Sequence, residues 1–332
     1  AEQVQIIPEA NINASHAALA DLATGEIIAS RKADEVIYPA SMTKVMTLIV
    51  VVENLPNGDC LEDEITVSQA VYDAMKAEGS SGIGMAAGEK LTVESLLYAL
   101  MLKSDGIAAC ELARYVAGSV EDFVELMNQK AEKMGLSNTH FENPNGLDAP
   151  GHYSTARDLA HLAAYAMENP IFRKTVSTKT LHMGSRYLTN HNKLLWRVDG
   201  ADGIKTGYTQ AAGYCLVSSA KARQINPICI IMGGVMTEYV NGQLDHSNYS
   251  DSIKLYDWVF SNYARVELVE GESLLLDVPV KLGSNADTIS LRAENSVTGV
   301  LANDADLSLL EQNIVIYSEE KDYAVKAPFS EG

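Results

Sequence analysis

The sequence predicts a mixed α/β protein, in which a sheet with helices packed on it is followed by a small all-β domain. Residues 16–30 have the pattern of two short strands around a turn, and a helical middle follows them. Strand-like runs return between residues 200 and 240, and after Tyr263 only short strand-like runs remain. We therefore expect two domains, residues 1–264 and 265–332.

The first expected helix starts near Ser41 and is apolar almost all round, which is typical of a helix buried in a core. Pro39 suits a helix start because its φ is already helical. Ser41 and Lys44 are three residues apart, so one helix face holds both the hydroxyl and the amine. A serine activated by a lysine needs this geometry. An ordinary Ser-capped helix with a solvated lysine is the alternative, and the S-x-x-K spacing alone favours it.

The middle of the chain predicts further helices separated by polar segments. A long polar loop covers residues 138–154, and loops of this length are often functional. The Gly-rich stretch at 78–89 lacks the spacing of a nucleotide-binding loop. Helices are expected at 93–102 behind a Thr92 cap, 107–117, 120–134 behind a Ser119 cap, 156–167 and 250–260.

Strand-like runs are expected at 213–219 and 228–232 and then, in the second domain, at 274–281, 288–292, 313–317 and 323–327. The second domain is acidic, with thirteen Asp and Glu against four Lys and Arg from residue 266 onward. Its last strand stops abruptly at 329–332, so we expect this domain to be cut short.

Composition excludes several classes of partner. The formal net charge of −19 argues against nucleic acid and against an electrostatic grip on anionic lipid. No apolar run approaches the roughly 20 residues that cross a bilayer. The chain starts at Ala1 without Met, as a protein would after signal cleavage or trimming.

The four cysteines form no C-x-x-C pair and have no nearby His, so no metal site is expected. Cys110, Cys215 and Cys229 lie in apolar stretches and are interpreted as small core residues. The sequence alone does not decide whether two of these cysteines form a disulfide.

Three motifs occur in order along the chain: Ser41-Met-Thr-Lys44, Ser104-Asp-Gly106 and Lys205-Thr-Gly207. Together they resemble the S-x-x-K, S-x-N and K-T-G signature of the penicillin-recognising serine enzymes. Longer stretches are similar to the low-molecular-mass D-alanyl-D-alanine carboxypeptidases of peptidase family S11, namely 135–141, 145–148, 153–158, 192–196 and 202–207. This resemblance covers about residues 10–264. It implies a penicillin-binding protein or serine β-lactamase-like fold, with an antiparallel sheet flanked by helices and a helical subdomain.

The resemblance also implies roles for the motif residues. Ser41 would attack the carbonyl between two D-alanines, and Lys44 would take its proton. Ser104 would pass a proton to the leaving amine, while Lys205 would supply positive charge to the substrate carboxylate. Thr206 would hydrogen-bond the same carboxylate.

The resemblance further implies an oxyanion hole made by the backbone N–H groups of Ser41 and Tyr208. Gly207 would let its strand approach the substrate closely. The implied partners are a peptidoglycan stem peptide ending in D-Ala-D-Ala and β-lactams, which would leave Ser41 acylated. No cofactor is implied. The site of action would be extracytoplasmic, with membrane association only through an anchor missing from this chain.

The chain departs from the family pattern at several positions. The second motif normally ends in Asn, whose amide binds the substrate backbone, and Gly106 offers no such bond. Asp105 is expected to substitute in part. The family often has His at Asn145 and Arg at His191 and Asn248.

Two other functions stay open at this point. A serine β-lactamase shares the three motifs, although the loop at 142–148 lacks the E-x-x-L-N context used for deacylation in class A enzymes. A catalytically weak peptidoglycan-binding homologue is suggested by Gly106 and Asn248. A Ser-His-Asp set containing Asp148 and His152 is disfavoured, because Lys44 already serves as the base.

Overall fold

The structure is a computed structural model that describes residues 5–7, 12–55, 60–279, 288–310, 312–316 and 323–327. The chain divides into two compact units, Ala1–Phe260 and Ser261–Gly332, which are described separately. The domain boundary expected after residue 264 stays a prediction.

The helices include those that the sequence predicts. The predicted caps are present, since Thr92 accepts from the Ser95 N–H at 3.1 Å and Ser119 from the Asp122 N–H at 3.0 Å. The α-helices among the described residues are α1 (Lys44–Glu53), α2 (Gln69–Ala77), α3 (Val93–Leu102), α4 (Gly106–Ala117), α5 (Val120–Lys133), α6 (Ala156–Glu168), α7 (Pro170–Ser177), α8 (Leu194–Arg197) and α9 (Ser247–Asn262). Of these, α2, α7 and α8 were not predicted.

The described strands of the first unit are β1 (Gln5–Ile6), β2 (His16–Asp21), β3 (Ile27–Arg31), β4 (Glu64–Thr66), β5 (Lys90–Thr92), β6 (Thr180–Met183), β7 (Arg186–Thr189), β8 (Ala201–Thr209), β9 (Gly213–Ala220), β10 (Pro227–Gly234), β11 (Met236–Glu238) and β12 (Leu244–His246). Six of them form the main sheet in the order β1-β3-β2-β10-β9-β8. Its neighbours are antiparallel, except that β1 runs parallel to β3. Strand β8 therefore lies at an edge of this sheet.

Helix α1 occupies the centre of the core. Every residue from Lys44 to Val52 is buried. The helix packs against α3, α4, α5, α6 and α7, while α6 covers β2 and β10 of the sheet. A helix surrounded on all sides needs no polar face, which explains the all-round apolar pattern of its sequence.

The four cysteines are buried free thiols. Burial raises the pKa of Cys110, Cys215 and Cys229 to about 12, so they are inert side chains of the interior. Within the described residues, no group of three His, Cys, Asp or Glu is placed to hold a metal ion. None of the helices described has the length and apolar character of a membrane span.

The second unit is built from β-strands, as the sequence predicts. Its described strands are β13 (Tyr263–Val269), β14 (Leu274–Pro279), β15 (Thr288–Arg292), β16 (Val297–Ala302), β17 (Gln312–Ile316) and β18 (Tyr323–Ala327). They pair antiparallel as β13–β16, β14–β15 and β17–β18. The sequence predicts a strand that continues to residue 281, but residues 280 and 281 lie outside the described residues. The expectations about Ala1 and about residues 329–332 also fall outside them.

Candidate active site

Ser41 lies in a short 3₁₀ turn, Ala40–Thr43, that leads directly into α1. The Nζ of Lys44 is 3.1 Å from the Ser41 Oγ, as the three-residue spacing predicts. Ala40 has a φ of +48°, a left-handed conformation that costs an alanine free energy and that is common at functional turns. The Ser41 hydroxyl also approaches the Asn145 carbonyl oxygen at 3.5 Å. The Ser41 hydroxyl is therefore paired with the Lys44 amine and does not cap a helix.

Lys44 is a buried amine that bonds to two oxygen atoms, those of the Ser41 hydroxyl and the Asn145 carbonyl. Its side chain is only 2% exposed, and its Nζ donates to the Asn145 carbonyl oxygen. Burial lowers the pKa of Lys44 to about 8, against the opposing influence of the Asp105 carboxylate. About a tenth of the amine is therefore neutral at pH 7 and able to accept a proton, far more than for an ordinary lysine.

The polar loop at 138–154 reaches the site through Asn145 and Gly146. Asn145 is buried, and its side-chain amide is 3.3 Å from the Met75 Sδ. Gly146 has a φ of +82°, and a Cβ there would lie 2.1 Å from the Ala40 carbonyl oxygen. The loop thus packs backbone to backbone against the turn that carries Ser41. Sequence reasoning noted Asn145 only as a departure from the family and missed its carbonyl as the partner of Lys44.

Ser104 and Asp105 connect α3 to α4. Ser104 has a φ of +59°, and its buried Oγ has no hydrogen-bond partner among the described residues. Asp105 caps α4, accepting from the Ala108 N–H at 2.9 Å and from the Ile83 N–H at 2.7 Å. These bonds favour a positioning role for Asp105 over the substrate contact expected from the sequence. Ser104 keeps an uncommitted hydroxyl.

The third motif lies on β8, at the sheet edge. Lys205 is 1% exposed, and its Nζ donates to the Thr206 carbonyl oxygen at 2.7 Å. Burial lowers the pKa of Lys205 well below its usual value, and the nearby charge of Lys44 lowers it further. Tyr208, farther along the strand, is 57% exposed.

Gly207 brings β8 against the Ser41 turn. A Cβ at Gly207 would lie 3.2 Å from the Ser41 backbone nitrogen and 3.2 Å from the Ala40 Cβ. A side chain here would crowd that turn and push it by a few tenths of an ångström, so the glycine allows the two backbones to approach closely. Ser41 of the first motif and Gly207 of the third motif are 166 positions apart in the sequence. The contact between their backbones brings the two motifs together in space.

The chain departs from the family pattern at His191 and Asn248, and both residues lie in or behind this region. Partial burial, with the charges of Lys103, Lys205 and Lys193, lowers the pKa of His191 to about 4. This corner is locally basic in a chain that is acidic overall. Asn248 is buried on α9, donates to the Cys215 carbonyl oxygen at 3.2 Å and leaves its Oδ1 without a partner among the described residues.

The disfavoured Ser-His-Asp set does not form. His152 accepts from the Glu142 N–H at 3.1 Å through Nδ1, so its Nε2 donates to the Thr43 Oγ1 at 2.8 Å. Asp148 accepts from the Thr209 hydroxyl at 2.9 Å. Neither side chain is directed at Ser41 by these bonds.

Comparison with known proteins identifies close relatives over most of the chain. Residues 3–236 match the family model described as D-alanyl-D-alanine carboxypeptidase, peptidase S11. The D-alanyl-D-alanine carboxypeptidase DacF of Bacillus subtilis is 33% identical over 276 residues, which are 81% of this chain and 68% of the relative. The carboxypeptidase DacC of Escherichia coli is 33% identical over 288 residues, 85% of this chain and 70% of that protein.

Solved structures agree with the fold. Penicillin-binding protein 5 from Haemophilus influenzae superposes with a TM-score of 0.79 at 28% identity, covering 92% of this chain and 87% of the other. A Streptomyces K15 DD-transpeptidase variant gives a TM-score of 0.69 at 31% identity, covering 75% and 98%. The predicted fold class and the resemblance drawn from the three motifs are thereby confirmed. The chain belongs to peptidase family S11, the D-alanyl-D-alanine carboxypeptidases, which are serine-type hydrolases.

Proposed function

We propose that this protein removes the terminal D-alanine from peptidoglycan stem pentapeptides through an acyl-enzyme on Ser41. The observation that carries the proposal is the 3.1 Å contact between the Lys44 Nζ and the Ser41 Oγ, inside the part of the chain that matches the family. A hydroxyl paired with a buried amine of lowered pKa is an activated nucleophile.

In the first step, neutral Lys44 accepts the Ser41 hydroxyl proton while the Oγ attacks the carbonyl carbon between the two D-alanines. The Asn145 carbonyl orients the amine by accepting one of its N–H groups, so the nitrogen lone pair is free to face Ser41. The C–N bond then breaks and leaves an ester on Ser41.

Ser104 passes the proton to the departing D-alanine nitrogen. Its buried hydroxyl has no partner among the described residues, so it is free to bond the reacting groups. A bound carboxylate favours the charged form of Lys205, so Lys205, with Lys103 and Lys193 nearby, attracts the substrate's terminal carboxylate, and the Thr206 hydroxyl bonds that carboxylate. Water then hydrolyses the ester and releases the shortened peptide.

The N–H groups of Ser41 and Tyr208 stabilise the oxyanion, which the close approach of Gly207 to the Ser41 nitrogen supports. Because β8 is a sheet edge, its backbone is available to an extended peptide that adds as a further strand. Asp105 fixes the Ser104 segment as a helix cap.

The substrate sets the location, since peptidoglycan lies outside the cytoplasmic membrane. We propose an extracytoplasmic site of action, with β-lactams as covalent inhibitors at Ser41. We also propose the domain division at residues 264 and 265, with the peptidase activity in the first domain.

Mass spectrometry of the intact protein after exposure to penicillin tests this proposal directly. We expect one penicillin mass to be added to the wild type and none to Ser41→Ala. The matched control Ser137→Ala changes an exposed serine and should be acylated like the wild type. D-alanine release from a diacetyl-Lys-D-Ala-D-Ala peptide should follow the same order.

The rival functions give different results. Rapid penicillin hydrolysis without a persistent adduct on Ser41 would identify a β-lactamase. Binding of the peptide with no release of D-alanine would identify a non-catalytic homologue.

A further inference from the structure

Gly106 is the first residue of α4, where its backbone has an ordinary helical conformation. It has no positive φ that would call for glycine. A Cβ at this position would instead lie 2.0 Å from the Ser80 Oγ and 3.0 Å from the Met75 Sδ. The space that a side chain at residue 106 would enter is therefore filled by the Ser80 hydroxyl.

The loop that carries Ser80 is fastened to the Ser104-Asp105-Gly106 segment. The Gly106 N–H donates to the Ser81 carbonyl oxygen at 3.0 Å, and the Ile83 N–H donates to Asp105. A Cβ at Gly82 would lie 2.6 Å from the Asp105 Oδ2, so a larger residue there would displace the Asp105 carboxylate from the Ile83 N–H. Contacts with Asp105 and Gly106 of the second motif thus fix the position of the loop that carries Ser80.

Within the described residues, the Ser80 hydroxyl makes a weak hydrogen bond. It is half-buried, and its contact with its neighbour's carbonyl, Ser81 O, is long at 3.4 Å. The neighbouring Met75 sulfur contacts the Asn145 amide, and the Asn145 carbonyl binds Lys44. Ser80 thus lies beside the second motif and is connected to Lys44 through Met75 and Asn145, and its partly exposed hydroxyl can donate a hydrogen bond to a ligand.

We propose that Ser80 is a substrate-binding residue, which donates from a separate loop the hydrogen bond to the bound peptide backbone that residue 106 cannot make. This inference rests on the proposed peptidase function. It makes Ser80 and Gly106 a complementary pair, in which the small residue in the motif is matched by a polar residue outside it.

The first test compares Ser80→Ala with Ser81→Ala. Ser81 is the adjacent, exposed serine, so its change controls for loss of a hydroxyl in the same loop. For Ser80→Ala we expect KM for the D-Ala-D-Ala peptide to rise roughly 3- to 12-fold, the worth of one hydrogen bond, with kcat changed less. Both variants should melt close to the wild type. A purely structural role would lower the melting temperature and leave KM unchanged.

The second test exchanges the pair. Gly106→Asn should lose most of its activity and melt at a lower temperature, because the new side chain meets Ser80. The double variant with Ser80→Gly and Gly106→Asn should regain both, since space is opened and an amide replaces the hydroxyl.

The outcomes separate the two proposals. An active wild type with a Ser80→Ala variant of equal KM would overturn this inference and leave the proposed function standing. A Gly106→Asn variant that is stable and fully active beside Ser80 would also overturn it. A wild type that neither releases D-alanine nor reacts with penicillin would overturn the proposed function and the substrate contact with it.

Discussion

The Lys44 Nζ and the Ser41 Oγ lie 3.1 Å apart, and both contact the carbonyl oxygen of Asn145. A single backbone carbonyl from a distant loop thus orients the hydroxyl and the amine together. Because an acceptor can bond the N–H groups of a neutral amine and of an ammonium alike, this arrangement is compatible with both protonation states of Lys44. The pair is held in place while the proton moves.

The pH dependence of acylation should follow the protonation of Lys44. Burial lowers its pKa to about 8, and only the neutral amine accepts a proton. The acylation rate constant should therefore rise about tenfold per pH unit below pH 8 and level off above it. Stopped-flow measurement with a fluorescent penicillin between pH 6 and 10 would show this. Lys44→Arg keeps a permanent charge and should be acylated very slowly at every pH, whereas a flat wild-type profile would contradict the assignment of Lys44 as the base.

The burial of the charged Lys44 amine should also lower the stability of the folded protein. Its pKa is about 8 in the folded state against 10.5 when exposed, so the unfolded chain binds more protons between these values. Stability should rise with pH across that window, and the cost is fully present below pH 8. Lys44→Met removes the buried charge and should raise the free energy of unfolding by about 1–3 kcal/mol at pH 7. Urea unfolding at pH 7 and pH 10 measures this. A gain that does not shrink at the higher pH would contradict the electrostatic explanation.

The parts of this site that could be predicted from the sequence are those carried by local spacing. Ser41 and Lys44 share a turn, so their contact follows from helical geometry. The burial of α1 follows from a run of apolar residues with no polar face. Helices α3 and α5 follow from their capping residues, Thr92 and Ser119.

The parts that could not be predicted depend on contacts between distant segments. The Asn145 carbonyl is a backbone group, and side-chain patterns carry no information about its partner. The filling of the space beside Gly106 by Ser80 depends on how one loop packs on another. Helix α2 is a different case, because Ser68 caps it by accepting from the Val71 N–H at 3.3 Å and Val71 and Met75 have the i, i+4 spacing of a buried helix face. These local signals could have predicted it.

His152 should make the protein sensitive to acid. The ring is 1% exposed and is bonded through both nitrogens, and burial lowers its pKa to about 4 from an ordinary 6.5. In this window the unfolded chain binds the additional proton, so stability should fall as the pH falls from 6.5 to 4. The loss attributable to His152 should reach about 3 kcal/mol at pH 4. His152→Gln cannot titrate and should show a flatter profile of unfolding free energy over the same range. An unchanged slope in the variant would assign the acid sensitivity to other groups.

Gly146 should be required for the Ser41 turn and not only for its own loop. It has a φ of +82°, and a Cβ there would lie 2.1 Å from the Ala40 carbonyl oxygen. Gly118 has a similar φ of +86° with nothing within 4 Å of its Cβ position, so it is a matched control for backbone strain alone. Gly118→Ala should cost about 1–3 kcal/mol and leave acylation by penicillin unchanged. Gly146→Ala should cost at least about 2 kcal/mol more and slow acylation strongly, because the turn that presents Ser41 must shift. Equal losses of stability in the two variants, with acylation intact in both, would show that the loop does not position the nucleophile.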